Sequence, residues 1–291
     1  MLRKKLLAAR GVRVRPGLDD KVLADWNGLM IAALGNAWTA IDDPRSLAMA
    51  RRAFDFIACK MTRDDRLGHS WRNDRLLFPG LASDFAAMIR AALALHEATG
   101  ERTYLDRALA WQRAFDRHYA NPETGGYFLT ADDAEGLLLR PSATVDDATP
   151  NPNALAAQNL VRLAALTGDD KWRKAVDRLF DGLMPIAAAN LVAHAALLNA
   201  LDLRLRAVEI VVTGSGARTD ALLASALKLP FVDRIAIRAP AIDDPILRSH
   251  PARDSMTPVP TAAAFVCLAE RCSLPVTEPD HLAAVVSATQ S

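Results

Sequence analysis

The residue types able to carry chemistry gather in four polar clusters of a 291-residue chain. The first runs from Leu18-Asp19-Asp20-Lys21 to Trp26-Asn27-Gly28, and the second is Leu81-Ala82-Ser83-Asp84-Phe85-Ala86. The third is Gly125-Gly126-Tyr127-Phe128-Leu129-Thr130. The fourth opens at Arg140-Pro141 and continues through Asp146-Asp147-Ala148-Thr149-Pro150-Asn151-Pro152-Asn153. Asp20, Asp84 and Asp147 therefore come from three separate loop regions, as the carboxylates of an assembled acid–base pocket would. Each also has a structural reading. Asp84 opens an apolar helix and would serve as an N-cap. Asp19 and Asp20 precede a helix, where a carboxylate favours the positive dipole end or pairs with Lys21. Turn chemistry around Pro150 and Pro152 accounts for Asp147 and Asn153, and Trp26, at helical spacing, reads as a core side chain as well as a ligand platform.

Other chemistries find little support. The histidines are His69, His96, His118, His194, His250 and His281, with no close pair at metal-ligand spacing. His96, His118 and His194 fall within expected helices; His69, beside Ser70 and Trp71 in a loop, is the one candidate general base. Cys267 and Cys272 are not a C-x-x-C pair and no second ligand pair supports zinc, so they read as two ordinary thiols near a strand end. Thr213-Gly214-Ser215-Gly216 follows a strand but lacks the third glycine of a dinucleotide fingerprint. There is no Gly-x-Ser-x-Gly elbow and no Walker loop. No metal and no cofactor is expected.

These clusters must be positioned by helices. Trp26, Leu29, Met30, Ala33, Leu34 and Ala37 form one apolar face of a helix over about 22–41, ended by Asp42-Asp43-Pro44. A second helix carries Leu47, Ala50, Phe54 and Ile57. A third spans about 81–99 (Phe85, Met88, Ile89, Ala92, Leu93, Leu95) and stops at Thr99-Gly100. A fourth follows with Tyr104, Leu105, Ala108, Trp111 and Phe115. The pattern repeats with helices over about 153–167, 170–184 and 189–205, and Thr167-Gly168 occupies the same place as Thr99-Gly100. Long loops alternate with short turns, which gathers the long loops at one end of the array. The last third changes character: Val208–Val212, Val232–Ile237 and Ala262–Cys267 read as strands, with a helix from Asp220 to Lys228 and a closing helix over about 279–288. The expected division is 1–206, a helical-hairpin body, and 207–291, a small α/β region docked on it.

Hydrophobic residues make up 51% of the chain and charged residues 24%, enough for a sizeable core. The net charge of +1 gives no case for a nucleic-acid partner. Arg3, Lys4, Lys5, Arg10, Arg13 and Arg15 form a local basic run without interleaved aromatics, which reads as a solvated helix end rather than a binding arm. Pro185–Leu201, the most apolar long stretch, contains Asn190, His194 and Asn199 and reads as a buried helix, so no membrane partner is expected. Three cysteines make no disulfide framework at this size, pointing to a reducing compartment and a cytoplasmic protein.

At this point the sequence resembles a known family. The stretches 15–37 (RPGLDDKVLADWNGLMIAALGNA), 125–130 (GGYFLT) followed by Arg140, 146–163 (DDATPNPNALAAQNLVRL) and 264–282 (AFVCLAERCSLPVTEPDHL) are similar, in order, to the spermatogenesis-associated protein 20 family. The resemblance implies an (α/α)6 toroid of the six-hairpin glycosidase type, here a partial toroid of helical hairpins with a small C-terminal α/β appendage. It implies the C-terminal portion of such a protein, with the N-terminal thioredoxin-like domain and the first hairpins absent. A missing N-terminal segment or an oligomer partner would then cover the open ring. Asp84-Phe85-Ala86 stands where family members read Asp-Tyr-Ala.

A toroid of this type implies carbohydrate as ligand. Glycoside hydrolysis needs two carboxylates on either side of the scissile bond, a role open to Asp20, Asp84 and Asp147. Trp26 and Tyr127 would offer flat faces to pyranose rings, and Asn27, Asn153 and Arg140 would bond hydroxyls or a carboxylate. The expected function is a sugar-binding or vestigial catalytic module. The alternatives are an active sugar hydrolase or 2-epimerase and a non-catalytic protein-interaction module.

Overall fold

The computed structural model describes residues 1–134, 136–230, 233–241, 244–248, 250–255, 262–269 and 271–290. The helical body comprises α1 (Leu2–Gly11), α2 (Ala24–Ile41), α3 (Pro44–Lys60), α4 (Ala82–Thr99), α5 (Arg102–Tyr119), α6 (Pro152–Thr167), α7 (Asp170–Ala188) and α8 (Ala195–Arg206). Local chemistry sets the boundaries. Asp42 ends α2 at φ 53°, and Asp43 caps α3 through the Arg45 N–H with Pro44 in the first turn. Gly100 and Gly168 end α4 and α6 at φ 73° and 65°, the left-handed conformation that glycine adopts without strain. Asn151 and Asp169 cap α6 and α7.

Helices α2, α4, α6 and α8 pack side by side, and α3, α5 and α7 return behind α2, α4 and α6. The first four are thus the inner helices of an open array of hairpins. Helix α4 is buried along almost its whole length, from Ala82 to Leu95. Helix α1 buries no residue, as a solvated helix end would not. The last inner helix begins later than its periodicity suggests: α7 runs through Pro185 to Ala188, and a single 3-10 turn, Val192–His194, precedes α8.

The buried face of α2 also differs from expectation. Ala24, Gly28, Ile31, Ala32, Gly35 and Thr39 face inward, whereas Trp26 is 60% and Met30 59% exposed. The cause is close approach to α4. A Cβ on Gly28 would lie 2.6 Å from the Ala87 carbonyl carbon, so the small residues rather than the large ones take the interface.

Four short strands precede α4: β2 (Thr62–Arg63) with β3 (Arg66–Leu67), and β4 (Ser70–Arg72) with β5 (Arg75–Leu77). Strand β1 (Val22–Leu23), just ahead of α2, pairs with β4. Both hairpins turn through two residues of positive φ, Asp64-Asp65 and Asn73-Asp74, as twist-compatible two-residue hairpins require. The long α5–α6 loop joins them at the same end of the array, where the Ala82 N–H donates to Leu129 O (2.9 Å) and Arg66 clasps Asp133 with two bonds of 2.7 Å.

The C-terminal region carries β6 (Val208–Thr213), α9 (Ala217–Lys228), β7 (Arg234–Ala239), α10 (Ala252–Ser255), β8 (Ala263–Leu268), β9 (Arg271–Cys272) and α11 (Leu282–Gln290). The sheet order is β7-β6-β8-β9, with β6 and β7 parallel across the α9 crossover and the other pairs antiparallel. Val232 of the expected second strand lies outside the described residues. Side chains alternate across the sheet. Val211, Ile237, Phe265 and Cys267 join the core of the helical body. Val208, Ile210, Val212 and Val266 form a second core with Leu222, Leu282 and Val286 of α9 and α11. Cys267 and Cys272 are register partners on β8 and β9 and form a disulfide, which corrects the reading of two ordinary thiols. No helix among the described residues is long and apolar enough to cross a membrane.

Candidate functional site

The end of the array where the long loops meet is organised by one buried carboxylate. Asp84, the third residue of α4, is fully buried. Its Oδ2 accepts the Leu81 N–H (2.7 Å), capping α4 from within, and its Oδ1 accepts the Asp25 N–H (3.0 Å) in the first turn of α2. Helix α2 has no side-chain cap of its own, so Asp84 supplies one across the helix interface. The third ligand of the carboxylate is His69, whose Nδ1 lies 3.0 Å from Oδ2 and 3.3 Å from Oδ1.

His69 is held by its backbone. Its N–H donates to Leu77 O (2.8 Å) and its carbonyl accepts the Ala24 N–H (3.0 Å), fastening the residue between β5 and the start of α2. Its side chain is 25% exposed. A buried carboxylate on Nδ1 fixes the ring and leaves Nε2 without a hydrogen bond among the described residues, the arrangement in which an imidazole handles a proton.

Burial pushes the Asp84 carboxyl up to about 6, against the lowering pull of His69 and the Leu81 N–H; Asp25 adds a smaller upward push. The hydrogen bond to Asp84 raises His69 above its ordinary value, outweighing the opposing effect of its own partial burial. Both groups are thus shifted upward together, the carboxyl by burial and the imidazole by its bond to that carboxyl, so their protons are held as a coupled pair.

Asp20, Asp84 and Asp147 occupy three different settings, and among the described residues no hydrogen bond joins Asp84 to Asp20 or Asp147. Asp20 is an exposed partner of Arg72 Nε at 2.5 Å. Asp147 is exposed, with its N–H on Thr149 O in a turn. The structural work of that loop falls to its neighbour Asp146, which accepts the Asn151 N–H (2.9 Å), Asn151 Nδ2 (2.8 Å) and the Ala196 N–H at the start of α8 (2.8 Å). Asp84 itself is spent on three donors, so it orients and caps and has no free face for a substrate.

Trp26 stands exposed one residue beyond Asp25, and Asn27, half-buried, donates to Leu23 O at 2.8 Å. Tyr127 offers no flat face: it is 4% exposed and its ring stacks on Phe115 at 3.9 Å. Its hydroxyl donates to Asp116 (2.7 Å). Asn153 is fully buried and holds the loop, accepting the Tyr127 N–H (2.7 Å) and donating to Tyr127 O (3.1 Å) and Ala143 O (2.8 Å). Arg140 donates to Thr130 O and His118 O and lies over the Phe128 ring. Burial and hydrogen bonding thus make Tyr127 and Asn153 supports of the loop rather than sugar contacts, and the half-buried Arg140 is engaged on the backbone of the same loop. Tyr127→Phe, which keeps the stack and removes the hydroxyl, should cost about 1 to 1.5 kcal/mol of stability in urea unfolding. No loss would mean that the bond to Asp116 contributes nothing.

Asp25, missed in the sequence, places a carboxylate oxygen within 4.8 Å of His69 and Asp84 ligand atoms. Two other groupings have that spacing, His118-Asp132-Asp133 and His250-Cys267-Cys272. In each the atoms are engaged: Asp84 by three donors, Asp132 by His118, Asp133 by Arg66, and the two sulfurs by each other.

No protein-family model matches the chain. Spermatogenesis-associated protein 20 of Homo sapiens is 29% identical over 298 residues, covering 96% of this chain and 38% of that protein. An uncharacterized protein of Caenorhabditis elegans is 25% identical, covering 92% and 38%. The chain thus spans well under half the length of these curated relatives, an extent that fits the C-terminal portion. Among solved structures, a GH76 α-mannanase of Bacteroides thetaiotaomicron aligns with a TM-score of 0.51 at 13% identity, over 63% of this chain and 52% of that one. At that identity the likeness is one of fold. The chain is similar to spermatogenesis-associated protein 20 over nearly its whole length, and its helical body has the fold of an (α/α) toroid.

Proposed function

We propose that this chain is a sugar-binding module with a vestigial catalytic centre, whose ligand lies against Trp26 and the outward face of His69. The observation that carries the reading is the His69–Asp84 pair: a buried carboxylate orients a partly exposed imidazole at the loop-bearing end of the inner helices, fastened to the start of α2, whose first turn carries the exposed Trp26. An indole face suits the apolar side of a pyranose, and an oriented imidazole suits a hydroxyl or a proton beside it. The shared toroid fold supports a carbohydrate setting without fixing the chemistry. Hydrolysis by paired carboxylates is disfavoured, because Asp84 is saturated and Asp20 is engaged by Arg72.

The full chain is tested by calorimetry against a panel of mannose- and glucose-based oligosaccharides. One of them should bind, about tenfold more weakly in Trp26→Ala, the loss of one aromatic stacking face. Proton NMR in deuterated water reads whether His69 still works. Deuterium at sugar C2 that disappears in His69→Gln would promote the module to an active 2-epimerase. Absence of binding across the panel ends the sugar reading.

A second reading, a protein-interaction module, is favoured by the engagement of Asp84 in two helix caps, Asp20 in an ion pair and Asp147 in a turn. It is favoured too by the exposed apolar side of the first hairpin, where Trp26, Met30, Ile41 and Met49 are 49–71% exposed. A further hairpin or a second copy would pack there.

A further inference from the structure

Helix α4 carries Asp84 at its start; further along, the same helix walls a different cleft. This cleft, about 650 Å³, lies between the later turns of the inner helices and the passage from α9 to β7. Its size is that of an ordinary small-molecule site. Its charged lining is unbalanced where it is least hydrated. Arg90, Arg162 and Arg234 gather around Glu97. Glu97 is taken: it accepts Arg162 Nη1 at 3.1 Å and the Ala236 N–H at 3.3 Å. Arg234 Nη1 caps the end of α9 on Ala226 O (3.2 Å) and Leu229 O (3.0 Å). Lys228 turns to Asp42 (2.6 Å), and Asp202, on the lining with Asp233, is held by Arg206 (2.6 Å).

Arg90 has no such partner. It donates no hydrogen bond among the described residues, and its Nη1 is shut off from solvent. Burial, reinforced by Arg162 and Arg234 and only partly offset by the charge of Glu97, lowers the guanidinium to about 9, so it remains charged near neutrality. A cation held this way destabilises the chain unless an anion meets it. Neutral polar side chains, Asn36, Thr39, Gln158 and Asn199, complete the walls.

We propose that this cleft binds a small organic oxyanion, a phosphate or carboxylate group on a polyhydroxy body, with Arg90 as its primary contact. The guanidinium fork matches such a group with two charge-assisted hydrogen bonds, and the amides and hydroxyl serve the body. The site is separate from the His69 rim and stands whether or not that rim binds sugar.

The test is calorimetry and thermal unfolding of the full chain at fixed ionic strength with mannose 6-phosphate, glucuronate, inorganic phosphate and neutral mannose. At least one anion should bind and raise Tm, and its affinity should fall about tenfold or more in Arg90→Met, the worth of a charge-assisted hydrogen bond. The sugar phosphate binding ahead of glucuronate assigns the phosphate, and the reverse order assigns the carboxylate. Arg90→Met removes a buried charge and should match or exceed the wild-type Tm without ligand. Should that variant not fold, Arg90→Lys replaces it and should bind more weakly, because the planar fork is lost. No binding by any of the three anions, or unchanged affinity in the folded Arg90 variant, overturns the proposal.

Discussion

Asp84→Ala should lower the free energy of unfolding by about 3 to 5 kcal/mol, because two buried backbone donors lose their acceptor at once and an imidazole loses its carboxylate. The Leu81 and Asp25 N–H groups both end on this side chain, so the first turns of α4 and α2 would loosen together. Asp84→Asn should cost less, since an amide oxygen still accepts, although its NH2 group faces a donor. The effect carries a pH signature. Folding raises the Asp84 pKa from 3.8 to about 6 and raises His69 above 6.5. For both groups the folded chain holds protons that the unfolded chain releases. Their contribution is fully present below the unfolded values and is lost as pH rises, first through about 6 and then through the raised value of His69. Urea midpoints of wild type and Asp84→Ala should therefore converge between pH 5 and pH 8. A gap that widens over that range would contradict the upward shift of both groups.

A glycine supplies the second large effect. Gly28→Ala places a methyl group 2.6 Å from the Ala87 carbonyl carbon and 2.8 Å from its oxygen, backbone atoms that cannot step aside. Helices α2 and α4 must separate, which loosens the contacts of Ile31 and Ala32 and draws the Asp25 N–H away from Asp84. A loss of about 2 to 3 kcal/mol is expected, in the range of overpacked cores. Gly35→Ala is the control. It lies one heptad further along the same interface, but its methyl would stand 3.7 Å from the nearest Ala94 atom, an ordinary contact. There the helix-propensity gain should show, a stabilisation of about 0.5 to 1 kcal/mol. Thermal unfolding of the two variants compares them directly, and equal stabilities would sink the close-approach argument.

The hairpin array was legible because its signals are local. Apolar spacing, the Thr99-Gly100 and Thr167-Gly168 stops and the Asp43-Pro44 start each depend on a few neighbouring residues, and all lie where expected. The β-α-β run was equally plain in its β-branched residues and flanking glycines. The two small hairpins around His69 had a readable signal in Asp64-Asp65 and Asn73-Asp74, pairs that tolerate positive φ between arginine-flanked strands. Asp84 was legible both as a cap and as a candidate for chemistry; that it caps a second helix as well was not.

Sequence alone thus determined the succession of the long helices, the three long strands of the C-terminal region, most of their stops, and that the long loops collect at one end. Only the tertiary structure decided which face of α2 turns inward, that Asp84 meets His69 and Asp25, that Asp146 rather than Asp147 ties its loop, and that Arg90 has no hydrogen-bond partner among the described residues. The physical reason is range. Periodicity and capping report the chain's own local geometry, whereas burial and the pairing of a charge depend on what a distant segment brings to it.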